Sequence, residues 1–324
     1  MHLKERLNEI NKNVRKVADD FSSYFGEHNN NDVRLLRLKE KNIISDLIAK
    51  SQSNYFNFYR NLNQSALNSL IENGFIEFPE IINSKCAREI KDYFQEINIA
   101  CNHWVYQPDK ELFKISNPLD KLHGTFDPKY IVENEALLKL FLNEGILDLI
   151  EGYLGSPGRI FHLNTTCTFS GDYKPPAQNL HRDNSHPKFC VLFLYLSDVS
   201  NSNGPHEYYR NTHSVESFEK FYPQLNPNDF FDLSSDSYGR DNFFESNLFA
   251  GKKIFTGDAG RCFLTDPRGI HRGIPVLDGT RWMAWARYAP IIDDRRLPKL
   301  QLNDSILENL NDRELYTISS LLIK

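Results

Sequence analysis

The chain has 324 residues, 40% of them hydrophobic and 13% aromatic, with a formal charge of −5 and a pI near 6.1. Its length suits one elaborated domain or two modest ones, and the apolar content can fill a sizeable core. Acidic balance with scattered Lys and Arg argues against a nucleic-acid partner, and the longest apolar stretch, residues 189–196, is too short to span a bilayer.

The N-terminus opens on charged residues rather than an apolar signal region. Cysteines 86, 101, 167, 190 and 262 form no CxxC pair and are odd in number. That usage predicts reduced thiols and a cytoplasmic protein.

Leu3, Leu7, Ile10, Val14, Val17 and Phe21 recur at alternating gaps of four and three, the seam of one amphipathic helix. Docking on the main domain is one reading of that seam, and a homodimer through the N-terminal helix is the other. A second helical stretch covers about 33–60, so residues 1–64 read as a helical N-terminal extension.

From residue 65 the texture changes. A short helix over 64–72 ends at the Asn73-Gly74 turn, and an extended segment follows at 75–78. Asn83 or Ser84 can cap a helix over 85–97, and another helix is expected over 134–153. Strands are expected at 159–170, 188–196, 252–256, 261–266 and 281–289, where apolar residues alternate or run continuously. Helices followed by many strands predict an α+β protein with a double-sheet jelly-roll core (a cupin-like double-stranded β-helix) over 65–292. Within it, 215–247 is a long aromatic and acidic insertion with the character of a lid. Residues 293–324 read as a C-terminal helical tail. No internal repeat or low-complexity segment is evident.

The chemistry concentrates at His181, Asp183, His271 and Arg281. His181 and Asp183 are two apart, so on an extended segment both point to one face. Two imidazoles and a carboxylate on a rigid β frame can take one face of an octahedral Fe(II), leaving three positions for a co-substrate, O₂ or water. Zinc suits the same ligands. Since all three protein ligands are present, no position is vacated for a halide, which favours hydroxylation over halogenation.

An inward-facing arginine is costly unless paired, and Arg281 is placed to hold the far carboxylate of a 2-oxo acid by a bidentate pair. Arg287 shares its face at period two and is the competing anchor. The structural alternative for Arg281 is a salt bridge to Asp258, Asp266 or Asp278. Trp282, Ala284, Ala286 and Tyr288 take the opposite face.

Residues 65–290 resemble the phytanoyl-CoA dioxygenase-like family of Fe(II)/2-oxoglutarate oxygenases. The resemblance rests on Asn73-Gly74-Phe75, Lys174-Pro175-Pro176, His181-Arg182-Asp183, Leu196-Ser197-Asp198, Asn203-Gly204-Pro205, His271 and Gly279-Thr280-Arg281. It implies His181, Asp183 and His271 as iron ligands and Arg281 as the 2-oxoglutarate clamp. The implied activity is hydroxylation of a small-molecule metabolite with release of succinate and CO₂. The chain departs from the family after Gly204-Pro205, where His206 to Ser214 replaces the usual Pro-Gly-Ser-His turn and flanks the pocket.

Thr168 and Lys174 are further co-substrate candidates, and Thr166 shares the face of Thr168. Tyr208, Tyr209 and Arg210 are candidate substrate contacts. His186, His206 and His213 crowd the neighbourhood, and Trp282 and Trp285 read as core. The competing functional readings are a non-oxidative metalloenzyme, a lyase or isomerase on the same barrel, and a binding module without chemistry.

Overall fold

The computed structural model describes residues 62–322 apart from 104, 105, 108, 119, 120, 172–177, 184, 185, 187, 215–250 and 291–298. The expected N-terminal extension (all but its last residues), the insertion and Lys174 therefore lie outside the described residues.

Two helices lead into the sheet region. α1 (Gln64–Asn73) is capped by the Asn63 side chain accepting from the Ala66 N–H, and it stops at Gly74, whose φ of 80° only glycine adopts readily. β1 (Phe75–Glu77) follows, then α2 (Ser84–Ile97), capped by Asn83 and ended by Asn98 in the left-handed region. Three short strands, β2 (Ile99–Cys101), β3 (Leu112–Lys114) and β4 (His123–Thr125), come next. None was expected, because three-residue strands carry too little alternation to register.

The single helix expected over 134–153 is instead split. After α3 (Lys129–Glu133) come α4 (Glu135–Phe141) and α5 (Glu144–Leu154). Asn134 and Asn143 each turn a side-chain oxygen onto the N–H three residues on, so each starts a helix of its own.

The long strands build the frame. β5 (Arg159–Phe169), β6 (Cys190–Tyr195), β9 (Cys262–Thr265) and β11 (Thr280–Ala289) lie in one antiparallel eight-stranded sheet of order β1-β9-β6-β11-β5-β4-β2-β3. The second sheet has three strands, β7 (His206–Tyr209), β8 (Lys252–Phe255) and β10 (His271–Gly273), in the order β10-β7-β8. The protein is α+β with two facing sheets of jelly-roll character, and neither sheet closes into a barrel.

Sheet parity divides the interior in two. Trp282, Ala284, Ala286 and Tyr288 face the helices and join Leu140, Phe141, Ile150 and Leu154 in the main core. Met283 and Trp285 face the other sheet, in a cluster with Phe161, Tyr195, Phe255 and Phe263. A register shift at Arg287/Tyr288 leaves Phe161 as an extra residue on β5, which directs its ring into that inter-sheet cluster.

Two short helices follow near the C-terminal end of the described residues. α6 (Asp304–Glu308) and α7 (Asp312–Ile318) place Leu307, Leu315 and Ile318 in the main core. Arg313 pairs with Asp148 and Glu151 of α5 at 2.7 and 2.6 Å. The fully buried Arg159 meets Ser319 Oγ at 2.7 Å and the Tyr316 ring at 5.4 Å. All five cysteines are free, and no helix among the described residues is long and apolar enough to cross a membrane.

Candidate metal centre

His181, Asp183 and His271 converge, with one ligand atom from each lying within 4.8 Å of the others. A backbone bridge holds them together. His181 and His271 exchange two N–H···O=C bonds of 3.0 Å, and the Asp183 N–H donates to Pro267 O at 2.8 Å. The metal pair is thus stitched to the strand that carries the distant histidine.

Each imidazole is already oriented. His181 Nδ1 lies 2.7 Å from Asn179 O and His271 Nδ1 lies 2.9 Å from Gly269 O. A carbonyl only accepts, so Nδ1 carries the proton in both rings and Nε2 keeps its lone pair for a metal. The rings sit 4.3 Å apart. Burial first, then His181, lowers the His271 pKa to about 4, so it is neutral at pH 7.

Asp183 divides its oxygens. Oδ1 is 3.6 Å from His181 Nε2, on the metal side, and Oδ2 accepts from Arg287 Nη2 at 3.0 Å. Burial works against its charge, but Arg287, then His271 and His181, bring its pKa below the usual value. Arg287 also lies 5.0 Å from the centre of the Trp285 ring, which fixes its plane.

The two arginines of β11 consequently differ. Arg287 is engaged by the Asp183 carboxylate, whereas Arg281 has no ion pair with any described residue. None of the three aspartates considered as its structural partners reaches it. Arg281 donates from Nη1 to Gly204 O and from Nη2 to Thr168 Oγ1 at 3.4 Å, and its Nε is buried without a partner. Only 8% of its surface is exposed, and burial lowers its pKa. A buried cation with an unused N–H fits an anion, and the His–Asp–His donor set fits a divalent first-row metal.

The remaining candidates sort by contact. Thr168 faces Arg281 across β5 and β11, and Thr166 faces Met283 one step along the same face. His206, buried with its Nε2 unpartnered, sits 5.4 Å from the His271 ring and within the field of Arg281. His186 packs on Phe161 at 4.4 Å, and burial followed by Arg287 lowers its pKa to about 4.

Tyr208, Tyr209 and Arg210, candidate substrate contacts by sequence, hold the frame instead. Tyr208 Oη donates to Asp266 O at 2.8 Å, the Tyr209 N–H donates to Ile270 O at 2.9 Å, and Arg210 Nη1 donates to Asn73 Oδ1 at 3.1 Å. His213 Nε2 donates to Ile71 O at 3.0 Å, at the end of α1. Trp282 stacks on Phe126 in the core, while Trp285 lies between Arg287 and His162, on the metal side.

No protein-family model matches the sequence. No curated protein matches it either. Among solved structures, the chain is similar to the non-haem α-ketoglutarate-dependent epimerase SnoN from nogalamycin biosynthesis, at 13% identity and a TM-score of 0.47, covering 70% of this chain and 80% of that one. It is similar to EctD from S. alaskensis with bound Fe, at 13% identity and a TM-score of 0.44, covering 74% and 80%. It is similar also to HygX from Streptomyces hygroscopicus with nickel and 2-oxoglutarate bound, at 12% identity and a TM-score of 0.42, covering 71% and 88%. At such identities and scores, the chemistry rests on the chain's own residues.

Proposed function

We propose that this chain is a mononuclear non-haem Fe(II)- and 2-oxoglutarate-dependent oxygenase that hydroxylates a small-molecule metabolite. One juxtaposition carries the reading: the pre-oriented His181–Asp183–His271 cluster is tied through Arg287 to β11, and the same face of that strand carries Arg281, a buried cation that no described carboxylate neutralises.

His181 Nε2, His271 Nε2 and Asp183 Oδ1 would hold the metal, and Arg287 engages Asp183 Oδ2, which leaves Oδ1 for the ion. Arg281 and Thr168 hold the far carboxylate of the 2-oxo acid. Bound Fe(II) with 2-oxoglutarate and O₂ supplies a two-electron oxidation, in which one oxygen atom enters succinate as CO₂ leaves and the other enters the substrate. Phe193, Phe255 and Phe263 stack beside His206, whose ring lies 5.4 Å from that of His271, and would help keep this side of the cluster dry. Approach is from the side where His181, Arg182, Asp183 and His186 are only half-buried.

The test is an anaerobic titration of the metal-free protein with Fe(II) and then 2-oxoglutarate, following the visible charge-transfer band of the chelate. We expect a band in the wild type that weakens in Arg281→Met, with succinate released once O₂ and a substrate are supplied. Metal binding without a band would point to the non-oxidative metalloenzyme, and no metal binding to a binding module.

A further inference from the structure

We propose that His123 is a third donor to the far carboxylate of the co-substrate, beside Arg281 and Thr168; the proposal rests on the 2-oxoglutarate reading above. The sheet places the three in one row. His123 is opposite Thr168 across β4 and β5, and Thr168 is opposite Arg281 across β5 and β11. Residues in one row of a sheet project to the same face, so the order across the strands is long, short, long. Adjacent strands lie ~4.8 Å apart, which sets the His123 and Arg281 backbones ~10 Å apart with the short threonine between them. A carboxylate seated in that notch would accept a hydrogen bond of ~2.8 Å from each side.

The polar atoms of the row point to the same occupant. His123 Nε2 and Arg281 Nε are both buried with no hydrogen-bond partner. Leaving a buried polar group unmet costs free energy, and two such groups flanking one notch call for a shared partner. Arg281 offers donors only, so a ligand that satisfies it must accept, and a carboxylate there is also within reach of an imidazole N–H. His123 can supply that N–H without a second charge. Burial first, then Arg281, lowers its pKa to about 4, leaving it neutral at pH 7. One cation then meets one carboxylate group, and the imidazole adds a hydrogen bond rather than an excess of positive charge.

The position is also held firmly. A Cβ on the next residue, Gly124, would meet Cys167 Sγ at 2.7 Å, so β4 lies against β5 with no slack. No iron ligand contacts His123 among the described residues, which separates its role from that of the metal face.

The experiment compares wild type, His123→Leu, His123→Gln and Arg281→Met, each titrated anaerobically with Fe(II). Each is then titrated with 2-oxoglutarate or with 2-oxopentanoate, which has the same chelating head but no far carboxylate. We expect His123→Leu to weaken 2-oxoglutarate ~10- to 100-fold, the loss for a hydrogen bond to a charged group, and to leave 2-oxopentanoate and Fe(II) binding unchanged. His123→Gln, which keeps an N–H near the place of Nε2, should recover most of that loss.

If His123→Leu binds both acids as wild type does while Arg281→Met is selectively impaired, His123 is a packing residue and the co-substrate reading stands. Equal weakening of both acids and of Fe(II) would also overturn the proposal, as general damage. If wild type forms no chelate, or prefers neither acid, the co-substrate reading falls and His123's role with it. Should the leucine variant fold poorly, His123→Phe, closer in shape to imidazole, makes the same comparison.

Discussion

Arg281→Met is expected to make the unliganded protein more stable and deaf to 2-oxoglutarate. Arg281 is 8% exposed and pairs with no described carboxylate. Keeping such a charge out of water costs several kcal/mol even after relaxation. Its bonds to Gly204 O and, at 3.4 Å, to Thr168 Oγ1 return ~1–3 kcal/mol of that. Methionine has similar reach and no charge, so it removes the first term and forfeits the second, for a net gain of ~1–3 kcal/mol. At ~2–4 °C per kcal/mol for a domain of this size, Tm should rise by ~2–12 °C. The ligand response should reverse the ranking. Wild type at a 2-oxoglutarate concentration of 100 Kd gains ~2.7 kcal/mol, whereas losing the buried charge pair costs ~2–5 kcal/mol of binding, ~30-fold or more in Kd. Thermal unfolding of the Fe(II) protein under anaerobic conditions, with and without 2-oxoglutarate, reads both quantities. A variant that is less stable than wild type and still shifts with 2-oxoglutarate would refute the reasoning at both points.

Other consequences follow from the same contacts. Asp183→Ala removes one of three ligand groups, so Fe(II) affinity should fall beyond the ~100-fold that marks the upper end for outer partners, as measured by competition with a chromophoric chelator. Gly269→Ala sets a Cβ against the Tyr208 hydroxyl and 3.1 Å from Thr212 Oγ1; it should cost ~1–3 kcal/mol in urea unfolding. It should also weaken Fe(II) ~10-fold, because Gly269 O orients His271. Asp266→Asn leaves Arg268 buried without its 2.5 Å partner and should cost ~3–5 kcal/mol. Burial opposes the charge of Asp266, yet Arg268 holds its pKa far below the ordinary carboxylate range. Its stabilisation is therefore complete above the unfolded value of ~3.9 and is lost as pH falls through the folded one. The gap between wild type and Asp266→Asn should be constant from pH 7 to 5 and narrow in stronger acid; a gap that widens there would count against the assigned pairing.

Much of this site was legible in the chain because its signals are short-range. His181 and Asp183 flag a shared direction, Asn83 announces a helix start, and the alternation through β11 separates Trp282 and Ala284 from Met283 and Trp285 by pattern alone. What escaped depends on pairing across the sheet. β4 has three residues, one of them glycine, so nothing local marks His123; only its register against Thr168 brings it to Arg281. Tyr208 and Tyr209 looked like pocket residues because aromatics near a site often are. Their strand β7 is instead bonded on both sides, to β8 and β10, so both residues are buried in the frame. The split at Asn143 was missed for a related reason: Leu140, Phe141, Ile146 and Leu147 keep helical spacing across the break, so periodicity alone runs two helices together.

The choice between the two arginines of β11 shows how far parity can carry an argument and where energetics must take over. Arg281 and Arg287 are six residues apart on one strand and face the same side, so period two leaves Arg287 in competition with Arg281, the favoured anchor. Their surroundings are not equivalent. Arg287 already has its counter-charge in Asp183 and a ring surface in Trp285, so a second carboxylate there would compete with Asp183. Arg281 is held only by a carbonyl and a hydroxyl, neither of which neutralises it. An uncompensated buried cation is unfavourable in the empty protein and favourable once an anion arrives, so the cost of leaving it bare becomes selectivity for a dianionic 2-oxo acid over a monoanionic one. On the proposed reading, the same strand steadies Asp183 through Arg287 at one end and would select the co-substrate through Arg281 at the other, with ~20 Å of extended backbone between the two Cα atoms.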